Sequence, residues 1–160
     1  IEHAKNGGYL MGICNGFQVL VEAHLLPGVL LRNSSQKFIS KNIYLKAATN
    51  NSLLTQELDT NKAYKIPIAH AEGRYFTDEK TLASLKANDQ ILFYYCDENG
   101  DVTEESNPNG SLLNIAGICN ENRNVFGMMP HPERACSAAL NNTDGRAIFE
   151  QLLMAGELVK

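Results

Sequence analysis

The stretch Gly8-Tyr9-Leu10-Met11-Gly12-Ile13-Cys14-Asn15-Gly16-Phe17-Gln18 constrains this chain more than any other. It carries an apolar strand into a glycine-flanked cysteine and leaves directly into a helix. A reactive side chain at a tight strand-to-helix turn needs small neighbours, and Gly12 and Gly16 leave room for that turn. The pattern is G-x-C-x-G, the cysteine counterpart of the G-x-S-x-G nucleophile elbow. The first N–H groups of the following helix have no internal partner and carry partial positive charge, which favours a thiolate. At helix N-termini a cysteine pKa falls from ~8.5 to roughly 3.5–7.5. Cys14 is therefore read as a nucleophile, against the alternative of a small buried residue.

Phe17, Leu20, Val21 and His24 recur at helical spacing, and Val19, Ala23 and Leu25 make the other faces apolar too. This predicts a buried helix that ends at Leu26, before Pro27-Gly28. The chain contains its own control, because Gly117-Ile118-Cys119-Asn120 repeats Gly12-Ile13-Cys14-Asn15. A polar turn, Glu121-Asn122-Arg123-Asn124, follows Cys119 where a helix follows Cys14, so Cys119 reads as structural.

With 160 residues, 44% of them hydrophobic, the chain suits one domain rather than two. A net charge of −4 with no basic run gives no electrostatic footprint for nucleic acid, and no apolar run approaches the ~20 residues of a membrane helix. Cys14, Cys96, Cys119 and Cys136 form no C-x-x-C pair, which fits reduced thiols in a cytosolic chain. Residues 1–8 read as a helix tail with its glycine stop. A strand that feeds an elbow is normally central in a parallel sheet. Residues 1–160 are thus expected to be one domain that lacks its N-terminal strands and helices.

Further along, strands are expected at Val29–Leu31, Lys37–Lys46, Lys62–His70, Gln90–Cys96, Leu112–Ile118 and Val125–Met129, with Pro67 marking an edge or bulge. Thr77 is the expected N-cap of a short helix through Lys86. Asp97-Glu98-Asn99-Gly100 suggests a hairpin returning through Asp101-Val102-Thr103, and Asp144–Leu158 is helical, with Ile148, Phe149, Leu152 and Leu153 on one side. These elements give an α/β fold: a mainly parallel sheet flanked by helices, with antiparallel additions.

A cysteine nucleophile needs a base, and the base an orienter. His3 lies on the polar leader and His24 on the apolar helix, where structural roles suffice. His131 follows an apolar strand within Met129-Pro130-His131-Pro132-Glu133-Arg134, and the two prolines stiffen its loop. Glu133, two residues on in an extended segment, is placed to accept from His131 Nδ1–H and fix its tautomer. The alternative is a rigid surface loop with an ordinary salt bridge. His70-Ala71-Glu72-Gly73-Arg74 reads as a loop closed by a Glu72–Arg74 interaction, beside which the family likeness given below sets a partner-contacting or channel-lining role.

Gly12–Gln18 together with Pro130–Arg134 resembles the class I, triad-type glutamine amidotransferases, whose fold is flavodoxin-like. More narrowly, the chain resembles the glutaminase subunits of phosphoribosylformylglycinamidine synthase. That narrower likeness rests on Leu26–Asn33, Pro67–Tyr75, Asn107–Ser111, Asn114–Cys119 and Asp144–Leu153. The resemblance implies Cys14 as nucleophile, His131 as general acid/base, Glu133 as orienter, Asn15 N–H as an oxyanion donor and Gln18 as a substrate-binding residue. It implies L-glutamine as substrate, in a cytoplasmic, purine-making complex with a formylglycinamide ribonucleotide synthetase subunit and a small accessory subunit. ATP and Mg are then expected on the synthetase, with no cofactor or metal on this chain. The family's second oxyanion donor comes from an early Pro-Gly-Gly loop, which this sequence does not contain. Half an oxyanion hole and exposed strand edges are therefore expected of these residues alone. Competing classes are another cysteine hydrolase on a similar sheet and a non-catalytic docking subunit.

Overall fold

A computed structural model describes the backbone of residues 1–157; Gln151 and residues 153–157 are described without their side chains. Leu158 and the Leu153 side chain, both assigned above to the last helix, lie outside the described residues. In chain order the elements are α1 (Glu2–Lys5), β1 (Leu10–Ile13), α2 (Asn15–Glu22), β2 (Val29–Leu31), β3 (Ile39–Ala47) and β4 (Tyr64–His70). They continue with β5 (Arg74–Phe76), α3 (Glu79–Ala87), β6 (Ile91–Cys96), β7 (Ile115–Cys119), β8 (Val125–Met128) and α4 (Arg146–Glu157). Single 3-10 turns lie at Leu112–Asn114, Pro132–Ala135 and Ala138–Leu140.

Six strands form one mixed sheet in the order β1-β8-β7-β6-β3-β4, and β2 pairs with β5 in a separate ribbon. The α/β class holds, but the balance of the sheet differs from a mainly parallel one. Among the described strands only β1 and β8 run parallel, with Gly12 opposite Gly127, and every other pair is antiparallel. The cause lies in the connections: β6 to β7 and β7 to β8 are linked without a crossover helix, so neighbours reverse direction. β4 is an edge strand, as Pro67 requires.

Alternating side chains of β7 and β8 feed two apolar clusters. Cys119 and Phe126 join Leu45, Ile66, Phe93 and Tyr95 in one, and Ile118 and Val125 join Phe17, Leu20, Val21 and Tyr75 in the other. α2 is the support of the second cluster, pressed onto β8 so closely that a side chain at Gly127 would strike Phe17 and Leu26. The helix is not buried all round, since Val19 is 62% exposed. Nor does it run to Leu26. It stops at Glu22 because His24 turns left-handed (φ 55°), with Leu25 N–H donating to Leu20 O and His24 N–H to Val21 O. That is the Schellman stop with histidine in the glycine position.

Two other expectations are corrected. Asp78, not Thr77, caps α3: its carboxylate accepts from Thr81 N–H, while the Thr77 side chain is buried. Asp97–Gly100 does turn, with Asp97 N–H donating to Asp101 O, but residues 101–103 form no return strand.

Candidate active site

β1 ends at Ile13, and Cys14 turns the chain with φ 53° and ψ −107°, a strained conformation for a residue with a Cβ. Its N–H donates to Met128 O at 2.8 Å, and its C=O accepts the first helical bond from Gln18 N–H at 3.2 Å. Both neighbouring elements therefore hold the turn. The crowding sits at Gly12, where a Cβ would come within 2.6 Å of Gly16 backbone atoms; at Gly16 itself a Cβ would meet nothing within 4 Å. The second glycine of the motif is thus not needed for space around its own α-carbon.

Cys14 is buried, with Sγ 3.8 Å from Ala69 O. The expectation of a lowered thiol pKa is reversed. Burial pushes it up, more than the Asn15 N–H at the helix start and the Arg134 guanidinium pull it down. A thiol held protonated at rest needs a base at hand, not only a helix terminus. Asn15 N–H nevertheless reaches the sulfur, where the resemblance places an oxyanion donor.

His131 lies just before the 3-10 turn Pro132–Ala135 and is tied to β4 by its N–H, which donates to Pro67 O at 2.8 Å. Its Nδ1 donates to Glu133 Oε1 at 2.6 Å. The contact expected between these two residues forms, though a 3-10 turn brings them together rather than an extended segment. An ionised carboxylate only accepts, so Nδ1 carries a proton, and in the neutral ring the lone pair is then on Nε2. Nε2 is buried and has no hydrogen-bond partner among the described residues. Arg134 Nε lies 3.5 Å from the same Glu133 oxygen.

Cys14, Asn15, Gln18, His70, His131 and Arg134 line one open cavity of about 430 Å³, with exposed Phe38 at its wall. Gln18 faces it as expected, but its Nε2 donates to Glu72 O at 3.0 Å, so the amide also fastens α2 to the loop after β4. A larger cleft of about 770 Å³, bounded by His24, Ser84 and Asn120, contains no cysteine and lies away from these groups. Cys119 is fully buried in the sheet, its thiol pushed up to about 11 by burial, and a turn follows it.

His70 belongs to the cavity, which sequence reasoning left open. The loop after it is not closed by Glu72 and Arg74, between which no ion pair forms. Asn33 and Asn109, both fully buried, close it instead. Asn33 N–H donates to Ala71 O, Asn33 Oδ1 accepts from Gly73 N–H, and Asn109 Nδ2 donates to Gly73 O. Both asparagines lie in stretches that carry the family likeness, Leu26–Asn33 and Asn107–Ser111, but nothing local in either points to His70.

Cys14 and His131 thus share one cavity, in which an imidazole of this tautomer has the chemistry of a proton acceptor. Residues 2–152 match the family of CobB/CobQ-like glutamine amidotransferase domains. The chain belongs to this family. Among its relatives within the glutamine amidotransferases is phosphoribosylformylglycinamidine synthase subunit PurQ of Koribacter versatilis. It is 52% identical over 152 residues, covering 95% of this chain and 66% of the relative. The same subunit from Aquifex aeolicus is 49% identical over 152 residues, covering 95% and 67%. The chain thus spans about two thirds of the length of the curated relatives it matches. The structure of PurLQS from Thermotoga maritima superposes with a TM-score of 0.80 at 38% identity, over 96% of this chain and 65% of that one. A putative GMP synthase subunit from Thermoplasma acidophilum, at 12% identity and a TM-score of 0.56 over 89% of this chain and 54% of that one, shares the glutamine amidotransferase fold alone.

Proposed function

We propose that this chain is the glutaminase part of a phosphoribosylformylglycinamidine synthase. The observation that carries the reading is the opening of elbow Cys14 and the Glu133-oriented His131 onto one cavity. The naming of its relatives narrows the reaction.

In this reaction His131 Nε2 takes the Cys14 proton as the sulfur attacks the γ-amide carbon of L-glutamine. The carbon–sulfur bond forms, and charge moves to the amide oxygen beside Asn15 N–H. His131 then returns the proton to the nitrogen, the C–N bond breaks, and ammonia leaves a γ-glutamyl thioester. Water, deprotonated by His131, hydrolyses the thioester to glutamate and restores the thiol. Each well-placed oxyanion donor contributes ~2.7–4 kcal/mol to the barrier reduction. Glu133 fixes the tautomer in which the neutral ring presents Nε2 to Cys14, and Gln18 contributes to holding the substrate.

The ammonia passes to a synthetase subunit that makes formylglycinamidine ribonucleotide, in a complex with a small accessory subunit. ATP and Mg act on the synthetase, and this chain needs neither. A cytoplasmic location follows from that pathway, and no described helix is long and apolar enough to cross a membrane.

The test is labelling of the full-length protein with a diazo-ketone analogue of glutamine, followed by peptide mass spectrometry. Label on Cys14 that is lost in His131→Ala supports the assignment. Label on Cys119, or on no cysteine, removes it.

A further inference from the structure

His70 presents a second imidazole to the Cys14 cavity, and its protonation pattern follows from its neighbours. Asn33 Nδ2 donates to two backbone carbonyls, Lys37 O and His70 O, each at 2.9 Å. Carbonyls only accept, so this end of the amide is the nitrogen and the other is Oδ1. Oδ1 receives Gly73 N–H at 3.3 Å and lies 3.0 Å from His70 Nδ1. The ring must therefore carry its proton on Nδ1 and a bare lone pair on Nε2.

That lone pair is buried and meets no donor among the described residues. The ring cannot turn to find one. Its Nδ1–Cε1 edge is fixed by Asn33 and packs so tightly on Gly73 that a Cβ there would come within 2.5 Å. His70 is buried at the end of β4, next to Ala69, whose carbonyl faces Cys14 Sγ at 3.8 Å. An acceptor held rigid and unpartnered in dry surroundings is complementary to a ligand with an N–H to give. In the reaction proposed above, the group beside the sulfur with N–H to give is the γ-amide nitrogen.

We propose that His70 is a catalytic residue whose Nε2 accepts a hydrogen bond from the nitrogen that leaves as ammonia. The roles of the two histidines then divide. His131 supplies a proton to that nitrogen, and His70 receives one of its N–H groups without taking the proton. Burial, reinforced by the neighbouring His131, holds the His70 pKa down to about 4, so the ring stays neutral and does not convert ammonia to ammonium. Ammonia thus remains in the form that can attack an electrophile elsewhere.

The inference rests on the glutaminase reading, and its test separates the two. In the full-length protein, L-glutamine is compared with the γ-methyl ester of L-glutamate, whose leaving methoxy group has no N–H. His70→Ala is expected to lower kcat for glutamine by about 30-fold and kcat for the ester by less than about threefold. The same amide-to-ester ratio is read in His70→Phe, which fills the ring's space without an acceptor. Equal loss on both substrates, or no loss on either, in whichever variant folds, overturns the role of His70. A wild-type protein that hydrolyses neither substrate overturns the glutaminase reading itself.

Discussion

Glu133 Oε1 is shared: His131 Nδ1 donates to it at 2.6 Å, and Arg134 Nε approaches the same oxygen at 3.5 Å. The carboxylate is held between an imidazole from one side and a guanidinium from the other. Arg134 also lines the cavity and lowers the Cys14 pKa through its charge. The residue after the expected triad thus acts on two of its members, although both it and Glu133 are largely in solvent.

Replacing Glu133 with glutamine tests the orienting role. The Gln side chain offers an N–H as well as a carbonyl, so His131 is no longer restricted to the tautomer with Nε2 free. Steady-state glutaminase assays should show kcat reduced by about 10²-fold with KM little changed. An unaltered kcat would assign the 2.6 Å contact to loop stability alone.

His70 gives the fold a dependence on acid. Its pKa falls from the ordinary 6.5 to about 4 in the folded protein. The unfolded chain therefore binds this proton first, and stability present above pH 6.5 is lost as pH falls through 4. For this 4%-exposed group the loss amounts to about 3 kcal/mol. Urea unfolding across that range should show a shallower slope in His70→Gln than in wild type. Parallel slopes would mean that the ring is charged, or exposed, in the native state.

The two elbow glycines should respond differently to a methyl group. Gly12→Ala places a Cβ 2.6 Å from Gly16 backbone and should destabilise by about 1–3 kcal/mol, displacing Cys14 as the turn shifts. Gly16→Ala meets open space in the first turn of α2 and should be neutral, or stabilise by up to ~1 kcal/mol. Thermal melting of the two variants, with Cys14 alkylation rates, reads both effects.

Asn33 is fully buried, and its side chain serves two carbonyls, one N–H and one imidazole. Asn33→Ala strands all four and should cost about 3 kcal/mol in denaturant unfolding. It should also raise glutamine KM, because the loop after β4 loses its tie to Gly73. A stability loss under 1 kcal/mol would show that water replaces the amide without penalty.

What the sequence disclosed was local. Cys14 and its helix, and His131 with Glu133, are each written within a few residues, so motif chemistry alone located both. The joining of Asn33 to His70 spans 37 residues and depends on how β2 and β4 are brought together, which no local pattern records. The Cys14 pKa departs from its sequence-based expectation for a related reason. A helix start is visible in sequence, whereas the burial that outweighs it comes from the rest of the fold. Thr77 reads as the cap of α3 from sequence, whereas its burial in the fold leaves that place to Asp78. At Asp97–Thr103 the turn forms, but Tyr95 O and Thr103 O both accept from Asn114 Nδ2, a distant side chain, and no ladder joins the two segments.

Pro67 lies opposite Asn42 in an edge strand, and its carbonyl is occupied by His131 N–H. Having no N–H of its own, it interrupts the row of groups on which another chain could assemble. The carbonyl that remains is covered by the segment carrying the base. Any strand that added itself to β4 here would have to dislodge His131 first, so protection against self-association and upkeep of the active site are vested in a single hydrogen bond.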